Sequence, residues 1–293
     1  MKPSAFDYSR PTSTLEAVNV LAELGEDGKV LAGGQSLLPL LNMRLATPRN
    51  LVDINAVTEL DYLRVTPDGV RVGALSRHSA LERSDDAARV QPLLRQAVRL
   101  VAHATIRNRG TTVGSIVHAD PSGEMTAVLS LLGGSVRVAG SAGERTVPAE
   151  DFFLGPLESA VRPGELAVEA FFPARTPGSG SSFTEISRRH GDYAVCGVGA
   201  VVELDADLRV CGARAAFLSI SPTPLVLDLA EVVHGRSFDD TAIEELSAYV
   251  QARIDPQPDI HATAAYRSHL AGALTLRAVR EAARAAADLE RTV

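Results

Sequence analysis

A strand, a glycine-containing turn, a helix and a second strand follow one another near the N-terminus. The apolar run at residues 29–32 predicts a buried strand, and residues 50–54 predict another. The sequence GGQS at 33–36 forms the turn between them, and the leucine-rich segment 37–45 predicts a short helix. A helix between two strands indicates a parallel crossover. The sequence therefore predicts a βαβ unit and a small parallel sheet at the start of the fold.

Both helices and strands are predicted in the rest of the chain. Ser13 and Glu16 have capping-box spacing, and Gly25 stops the helix that they begin. Apolar stripes predict a helix at 92–103 and a final helix at about 262–289. Further strands are expected at 70–74, 136–139, 145–147, 166–172, 183–187, 194–204 and 209–220.

A chain of 293 residues has room for two domains, and 45% hydrophobic residues can supply their cores. Proline, glycine and serine are concentrated at 173–182, which is the one stretch with the composition of a linker. We therefore expect one domain at 1–175, with subdomains of about 1–56 and 57–175, and a second domain at 176–293.

Charge and cysteine content exclude several classes of protein. The formal charge of −7 provides no basic surface for nucleic acid or anionic lipid. Cys196 and Cys211 are the only cysteines, too few to hold an iron–sulfur cluster or a structural zinc ion, and no HExxH motif occurs. We therefore expect that the chain binds no metal itself. Because neither a signal peptide nor an apolar stretch of about 18 residues is present, we also expect a cytoplasmic protein.

The GGQS turn has two interpretations. Gly33 and Gly34 serve a tight turn between strand and helix, or they expose backbone N–H groups to a diphosphate. No lysine follows the glycines, which excludes a P-loop, and the absence of GxGxxG weakens a Rossmann assignment. Gly197 and Gly199 lie within an apolar strand, where close packing is the expected reason for them.

A second turn repeats this chemistry. Thr111, Thr112 and Ser115 surround Gly114, and Asp120 and Glu124 follow. Hydroxyl and amide groups suit phosphate oxygens, whereas carboxylates suit the hydroxyl groups of a sugar or a ribityl chain. Two such turns in one domain could hold both ends of a dinucleotide.

Four separated motifs carry a resemblance to a known family. The sequences AGGQSLLP (32–39) with MRLA (43–46) and LVDI (51–54), and IRNRGT (106–111) with SIVHADP (115–121), resemble the two FAD loops of the flavin-carrying medium subunits of molybdenum hydroxylases. RRHGDYA (188–194) and YRSHL (266–270) resemble two later segments of that family. The second loop has one glycine fewer than the usual TVGGS.

The resemblance implies an α+β fold, with a two-domain FAD-binding architecture of the vanillyl-alcohol-oxidase (PCMH) type and a C-terminal antiparallel sheet with helices. It implies that FAD is the cofactor and that Tyr193, which covers the isoalloxazine, is the catalytic residue. Without the motif, Tyr193 would be a core aromatic residue. It also implies a set of FAD-binding residues. These are Ala32, Gly33, Gly34, Gln35, Ser36, Leu37, His103, Ala104, Thr111, Thr112, Val113, Gly114, Ser115, Asp120, Glu124, Leu166 and Tyr193.

The function implied is that of an electron-transfer subunit. Its partners would be a large molybdopterin-binding subunit and a small [2Fe–2S] subunit, assembled as a dimer of heterotrimers. One alternative is a self-sufficient FAD-dependent oxidoreductase of the same fold, and another is a regulatory module that binds a nucleotide without redox chemistry.

Other polar residues have simpler interpretations. His118 and Asp120 are a conceivable catalytic pair, but we expect them to order the FAD site. We do not expect a covalent bond between a histidine and the flavin, for which His103 would be the nearest candidate. Arg188 and Arg189 are either a solvated charge pair or part of a subunit contact.

Overall fold

The structure, a computed structural model, describes residues 2–237 and 240–290. The described strands are β1 (Asp7–Ser9), β2 (Gly28–Leu31), β3 (Asn50–Asp53), β4 (Leu63–Thr66), β5 (Gly69–Gly73), β6 (Ser135–Gly140), β7 (Gly143–Pro148), β8 (Phe153–Gly155), β9 (Glu158–Ser159), β10 (Leu166–Pro173), β11 (Ser179–Ser187), β12 (Ala194–Leu204), β13 (Val210–Leu218) and β14 (Leu225–Asp228). The described α-helices are α1 (Thr14–Leu24), α2 (Leu37–Asn42), α3 (His78–Arg83), α4 (Asp85–Val90), α5 (Pro92–Val98), α6 (Ala104–Arg107), α7 (Thr112–His118), α8 (Glu124–Leu131), α9 (Ala149–Phe152), α10 (Ala230–Val233), α11 (Asp240–Gln251) and α12 (Ala264–Glu290).

The first sheet is parallel and confirms the predicted βαβ unit. Strand β3 lies between β1 and β2 and pairs parallel with both. Ser13 caps α1 by accepting a hydrogen bond from the Glu16 N–H, as the capping spacing predicts. Helix α2 is shorter than expected because Arg44 adopts a φ of 58° soon after the helix ends.

A five-stranded antiparallel sheet follows, in the order β4-β5-β10-β6-β7. Its strands include those predicted at 70–74, 136–139, 145–147 and 166–172. The helix predicted at 92–103 is shorter in the structure: α5 ends at Val98, and the next helix, α6, begins only at Ala104. Ala102, between them, has a φ of 44°, which no residue inside a right-handed helix adopts.

The four-stranded antiparallel sheet β11-β12-β13-β14 has apolar residues on both faces. Phe183, Val201 and Leu218 belong to the core that includes the five-stranded sheet, whereas Val198 and Val202 belong to a second core together with α12. Burial on both faces explains the nearly continuous apolar sequence of β12. Together with the helices, these sheets confirm the predicted α+β class.

The segment expected to be a linker contributes to this sheet. Residues 179–182 form the first half of β11 and pair with β12, and Pro173 is the last residue of β10, so the linker prediction is wrong for those five residues. A Cβ on Gly180 would collide with the carbonyl oxygen of Ala282 in α12. The small residues therefore let a helix pack closely on the strand. The same small residues give this part of the strand the composition of a linker.

Strand β14 is absent from the sequence-based prediction, and α12 begins at Ala264, close to the predicted start. Gly197 and Gly199 pack against Leu218 and Phe183, in agreement with the close packing expected for them. In the part of the chain that the structure describes, no helix combines the length and apolar character needed to cross a membrane.

Candidate functional site

A cavity of about 530 Å³ lies where the two glycine-containing turns meet the segment that precedes β12. The GGQS turn, the N-terminal part of α7 and residues 191–193 all contribute to its wall. Fourteen of the predicted site residues line it. They are Ala32, Gly33, Gly34, Gln35, Ser36, Leu37, Thr111, Val113, Gly114, Ser115, Asp120, Glu124, Leu166 and Tyr193.

The first turn offers a row of free backbone donors. Among the residues that the structure describes, none accepts a hydrogen bond from the N–H groups of residues 33–36. The Gln35 amide instead donates back to the Gly33 carbonyl oxygen at 3.0 Å, which holds the turn in shape. Gly34 has a φ of 73°, the left-handed conformation that glycine adopts without strain. Consecutive free amides of this kind form a concave anion-binding nest.

The second turn contributes fewer free amides. Thr111 caps α7: its Oγ1 accepts from the Gly114 N–H at 3.1 Å and its carbonyl accepts from the Ser115 N–H at 3.0 Å. The N–H groups of Thr111 and Val113 have no acceptor within the described ranges. Those two amides and the hydroxyl groups of Thr111 and Ser115 remain as donors toward the cavity.

Carboxyl groups gather beyond the other end of α7, a helix whose seven residues span about 10 Å. Asp120, Glu124 and Tyr193 line the cavity there. Burial, followed by the charge of Asp120, raises the pKa of Glu124 to about 7. Partial burial and the charges of Asp120 and Glu124 raise the pKa of the Tyr193 hydroxyl. Burial lowers the pKa of His118, although the neighbouring Asp120 opposes that shift.

Tyr193 lies at the rim of the cavity with 68% of its surface exposed. The backbone before it turns through Gly191, whose φ is 83° and whose Cα packs against the ring of His103. Asp192 pairs with Arg189 at 3.1 Å and with Arg188 at 4.0 Å. Both arginines are exposed, so these ion pairs shape a surface segment and leave its aromatic side chain accessible.

Three predicted site residues do not line this cavity. Thr112 faces the interior instead, where its hydroxyl lies 3.2 Å from Nδ1 of the buried His78. The ring of His103 lies 5.6 Å from that of His190, centroid to centroid, beneath the segment that carries Tyr193. Ala104 begins α6 next to it. Contacts between FAD and His103 or Ala104 stay predictions.

Sequence reasoning missed several residues that line the cavity and one buried carboxyl group that lies outside its lining. Leu157 and Val161 line the cavity from a loop that contains no motif. Glu185 lies on β11 near Glu124, and burial together with the charge of Glu124 raises its pKa to about 8. The only sequence signal for Glu185 is a single carboxylate in an otherwise uncharged strand.

The cavity has the donor set that a dinucleotide needs. Free amides and hydroxyl groups of the two turns can hold a diphosphate. Carboxyl groups beyond the C-terminal end of α7 can accept hydrogen bonds from sugar or ribityl hydroxyls. Apolar side chains between them can pack against ring systems; they include Ile54, Val101, Leu157 and Leu166. The residues present therefore fit FAD.

Two family models match most of the chain. Residues 4–175 match the FAD binding domain in molybdopterin dehydrogenase, and residues 181–282 match the CO dehydrogenase flavoprotein C-terminal domain. The curated and solved relatives extend over nearly the whole chain as well.

The chain is 39% identical to caffeine dehydrogenase subunit beta of Pseudomonas sp. (strain CBB1), covering 97% of this chain and 96% of that protein. It is 38% identical to subunit alpha of the 6-hydroxypseudooxynicotine dehydrogenase complex of Paenarthrobacter nicotinovorans, with 96% of each chain covered. A chain of the reconstituted CO dehydrogenase from Oligotropha carboxidovorans superposes with a TM-score of 0.91 at 34% identity, covering 97% of this chain and 100% of that one. With FAD as its cofactor and the two-domain FAD-binding fold, the chain belongs to the family of FAD-binding medium subunits of molybdenum hydroxylases, which are oxidoreductases.

Proposed function

We propose that this chain is the electron-transfer subunit of a molybdenum-dependent dehydrogenase. Bound FAD would supply the redox chemistry by taking electrons from the iron–sulfur clusters of a small partner subunit and releasing them to an external acceptor. The organic substrate would be oxidised on a large subunit that carries the molybdenum cofactor. The names of the relatives support this division of labour, since they are subunits or medium chains of dehydrogenases.

The observation that carries the proposal is the position of Tyr193. One cavity joins the free amides of the GGQS turn to an exposed tyrosine at the rim. A flavin held by its diphosphate at the amides would extend toward this rim, where an acceptor or a partner subunit can approach it. The chain's two cysteines, Cys196 and Cys211, are too few to hold a cluster, so an iron–sulfur cluster that reduces the flavin would lie on another subunit.

The site residues have separate roles in this proposal. The amides of residues 33–36, Thr111 and Val113, with the hydroxyl groups of the second turn, hold the diphosphate. Glu124 accepts a hydrogen bond from a sugar or ribityl hydroxyl, and Asp120 helps to order that region. Tyr193 covers one face of the isoalloxazine and limits the access of solvent to it. The residues from 1–175 would form the FAD-binding domain, and 176–293 would supply Tyr193 from the second domain.

A comparison of the isolated chain with the assembled complex tests this function. The chain, expressed alone and loaded with FAD, should be inert toward carbon monoxide, an aldehyde or an N-heterocycle when a dye acceptor is supplied. When it is expressed with the products of its neighbouring genes and purified through a tag on this chain, it should bring down molybdenum and about four irons per flavin, as two [2Fe–2S] clusters require.

Reduction of the flavin gives a second readout. In the assembled complex the flavin absorbance should bleach on addition of the substrate, and in the isolated chain it should not. Steady oxidation of an organic substrate by the isolated chain, with no molybdenum in elemental analysis, would overturn the proposal in favour of a self-sufficient oxidoreductase. A purified chain that binds no flavin would support the regulatory module.

A further inference from the structure

Two polar side chains connect the glycine-containing turns behind the cavity. Asn55 Nδ2 donates to the carbonyl oxygen of Ala32 in the first turn at 2.8 Å. Arg77 Nη2 donates to Asn55 Oδ1 at 2.7 Å, and Arg77 Nη1 donates to the carbonyl oxygen of Arg109 in the second turn at 2.7 Å. Asn55 and Arg77, together called the Asn55–Arg77 bridge, form an unbroken series of hydrogen bonds from one turn to the other.

The Asn55 end of the bridge is held by its neighbours. Asp53 Oδ1 accepts from the Asn55 backbone N–H at 3.0 Å and from its side-chain amide at 2.5 Å. The other carboxylate oxygen of Asp53 accepts from the Tyr8 hydroxyl at 2.5 Å. These bonds leave the Asn55 amide little freedom to rotate away from the first turn.

The Arg77 end is held by backbone pairing. Arg77 and Thr111 form an isolated antiparallel bridge, flanked by hydrogen bonds from the His78 N–H to the Gly110 carbonyl at 3.0 Å and from the Thr112 N–H to the Ser76 carbonyl at 3.3 Å. The guanidinium is partly buried, and its planar fork can satisfy two acceptors at once. Arg77 is therefore fixed to the second turn by both its backbone and its side chain.

Capture of the Ala32 carbonyl determines where the next amide points. In a trans peptide the C=O of one residue and the N–H of the following residue point in opposite directions. A hydrogen bond that holds the Ala32 oxygen toward Asn55 therefore directs the Gly33 N–H away from Asn55. Neither Asn55 nor Arg77 lines the cavity, so their influence reaches a ligand only through the turns.

We propose that Asn55 and Arg77 are positioning residues for the FAD diphosphate, which fix the separation and orientation of the two turns without touching the cofactor. This inference rests on the proposed role of those turns in holding the diphosphate. Neither residue lies in a glycine-containing turn or in a motif that carries the family resemblance, so the resemblance assigns no role to them. Affinity for an anion depends on several donors being held in place before it binds, and the bridge supplies that constraint.

The bridge makes a specific demand on substitutions. Arg77→Ala leaves the Arg109 carbonyl and the Asn55 side chain without their donor, and we expect FAD affinity to fall by about tenfold or more. Arg77→Lys keeps the charge but cannot serve both acceptors in the same geometry, so its loss should be intermediate. Asn55→Ala should resemble Arg77→Ala. The FAD affinity of the double variant should be only a little lower than that of the weaker-binding single variant, because the two side chains act as one unit.

The test measures equilibrium binding of FAD, and of ADP as its diphosphate-containing part, to the apoprotein by calorimetry. Thermal unfolding of each apoprotein is measured in parallel. Arg137→Ala is the matched control, because that guanidinium also donates hydrogen bonds to two side chains, Glu144 at 2.9 Å and Tyr62 at 3.2 Å, but at the five-stranded sheet. It also pairs with Glu169 at 3.5 Å. We expect the control to lower the unfolding temperature and to leave FAD and ADP affinity unchanged. The bridge variants should weaken both ligands by similar factors, including where their unfolding temperature falls no further than that of the control.

Several outcomes would overturn the inference. Parent-like FAD affinity in Arg77→Ala and Asn55→Ala would remove the bridge from the site. Losses of affinity that are fully additive in the double variant would show that the two side chains do not act as one bridge. Weaker FAD binding with unchanged ADP binding would show that the bridge does not act on the diphosphate. If Arg77→Ala fails to fold, Arg77→Lys carries the same comparison.

Gly34→Val separates this inference from the assignment on which it rests. If Gly34→Val also keeps the parent affinity for FAD, the turn itself does not hold the diphosphate, and the proposed site is wrong. If Gly34→Val loses FAD while the bridge variants keep it, the site stands and only the positioning role fails.

Discussion

Gly33 lies directly against the backbone of Arg109, so close that a Cβ on Gly33 would be 2.5 Å from the Arg109 carbonyl oxygen. The same Cβ would lie 2.8 Å from the Cα of Gly110. The glycine is therefore required for contact between the two turns. This reason differs from both interpretations of Gly33 that the sequence offered, a tight turn between strand and helix and a close approach of the backbone to a diphosphate. Gly34 retains a conformational reason of its own.

Gly33→Ala should reduce both stability and FAD affinity. The added methyl group meets backbone atoms, which cannot rotate away as a side chain does, so the two turns must separate. Gly28→Ala in β2 is a suitable control, because the atoms nearest to its Cβ would be side-chain atoms of Leu24 and Leu21, the first at 3.0 Å. Thermal unfolding and FAD titration of the two variants check this, and equal behaviour of the two would contradict the proposed contact.

Gly34→Ala should lose most of its FAD affinity while the apoprotein stays folded. Gly34 has a φ of 73° and Gly235 has a φ of 71°, so alanine at either position carries a similar backbone strain of about 1–2 kcal/mol. No described residue has an atom within 4 Å of a Cβ built on Gly235, and Gly235 does not line the cavity. Gly235→Ala should therefore show the stability loss alone. Isothermal titration with FAD distinguishes them, and an unchanged affinity in Gly34→Ala would argue against a diphosphate at this turn.

Tyr193→Ala should alter the reactivity of the flavin more than its binding. The side chain is 68% exposed and lies at the rim, so its removal opens the flavin face but leaves the diphosphate site intact. Stopped-flow reoxidation by small acceptors should change, with FAD content near one per chain. Tyr266→Ala, an exposed tyrosine of α12, is the control. A reoxidation trace identical to that of the parent would exclude Tyr193 from the flavin site.

Glu185 should make the apoprotein less stable as the pH rises. Its pKa is raised to about 8 in the folded state from the ordinary value of 4.5, so the folded chain holds a proton that the unfolded chain has released between these values. The free energy of unfolding should therefore fall from about pH 5 to pH 8, with a slope of at most about 1.4 kcal/mol per pH unit for each such proton. Glu124, whose pKa is raised to about 7, adds to the same trend.

Glu185→Gln should flatten that slope, as measured by urea unfolding of the apoprotein at several pH values. Glu165→Gln is the control of opposite sign, because the hydrogen bond from Arg145 lowers the pKa of Glu165. Glu165 contributes stability that is lost only as the pH falls below its ordinary range, so its removal should leave the slope between pH 5.5 and 8 unchanged. A parent-like slope in Glu185→Gln would show that this carboxyl is ionised in the folded protein.

Gly180→Ala should destabilise the protein by about 1–3 kcal/mol, because the new methyl group forces α12 away from β11. Gly212→Ala in β13 of the same sheet is the matched control, since the atoms nearest to its Cβ would belong to the flexible side chain of Glu203, at 3.1 Å or more. Chemical denaturation of the two variants measures the difference. Comparable stability of both would mean that the helix and strand tolerate a wider separation.

The elements that depend on local pattern were predictable. Residues 29–54 contain their own strand, turn, helix and strand, and they form the expected parallel unit. The Ser13 cap and the apolar strand 194–204 are local in the same way. Most of the predicted site residues line one cavity because they lie in motifs whose turns end at the same place.

Contacts between distant parts of the chain were decided only by the tertiary structure. Thr112 lies within a motif but faces His78, and Asn55 and Arg77 lie outside every motif but link two turns that are more than 70 residues apart in sequence. The small residues at 179–182 are needed because α12, about 100 residues later in the sequence, packs closely on them. A sequence pattern reports which face of its own element is apolar and which backbone conformations are allowed. The surface against which this face packs is determined only in the tertiary structure. The sequence alone therefore determined the two turns and the strands next to them. The side chains that hold the two turns together were determined by packing.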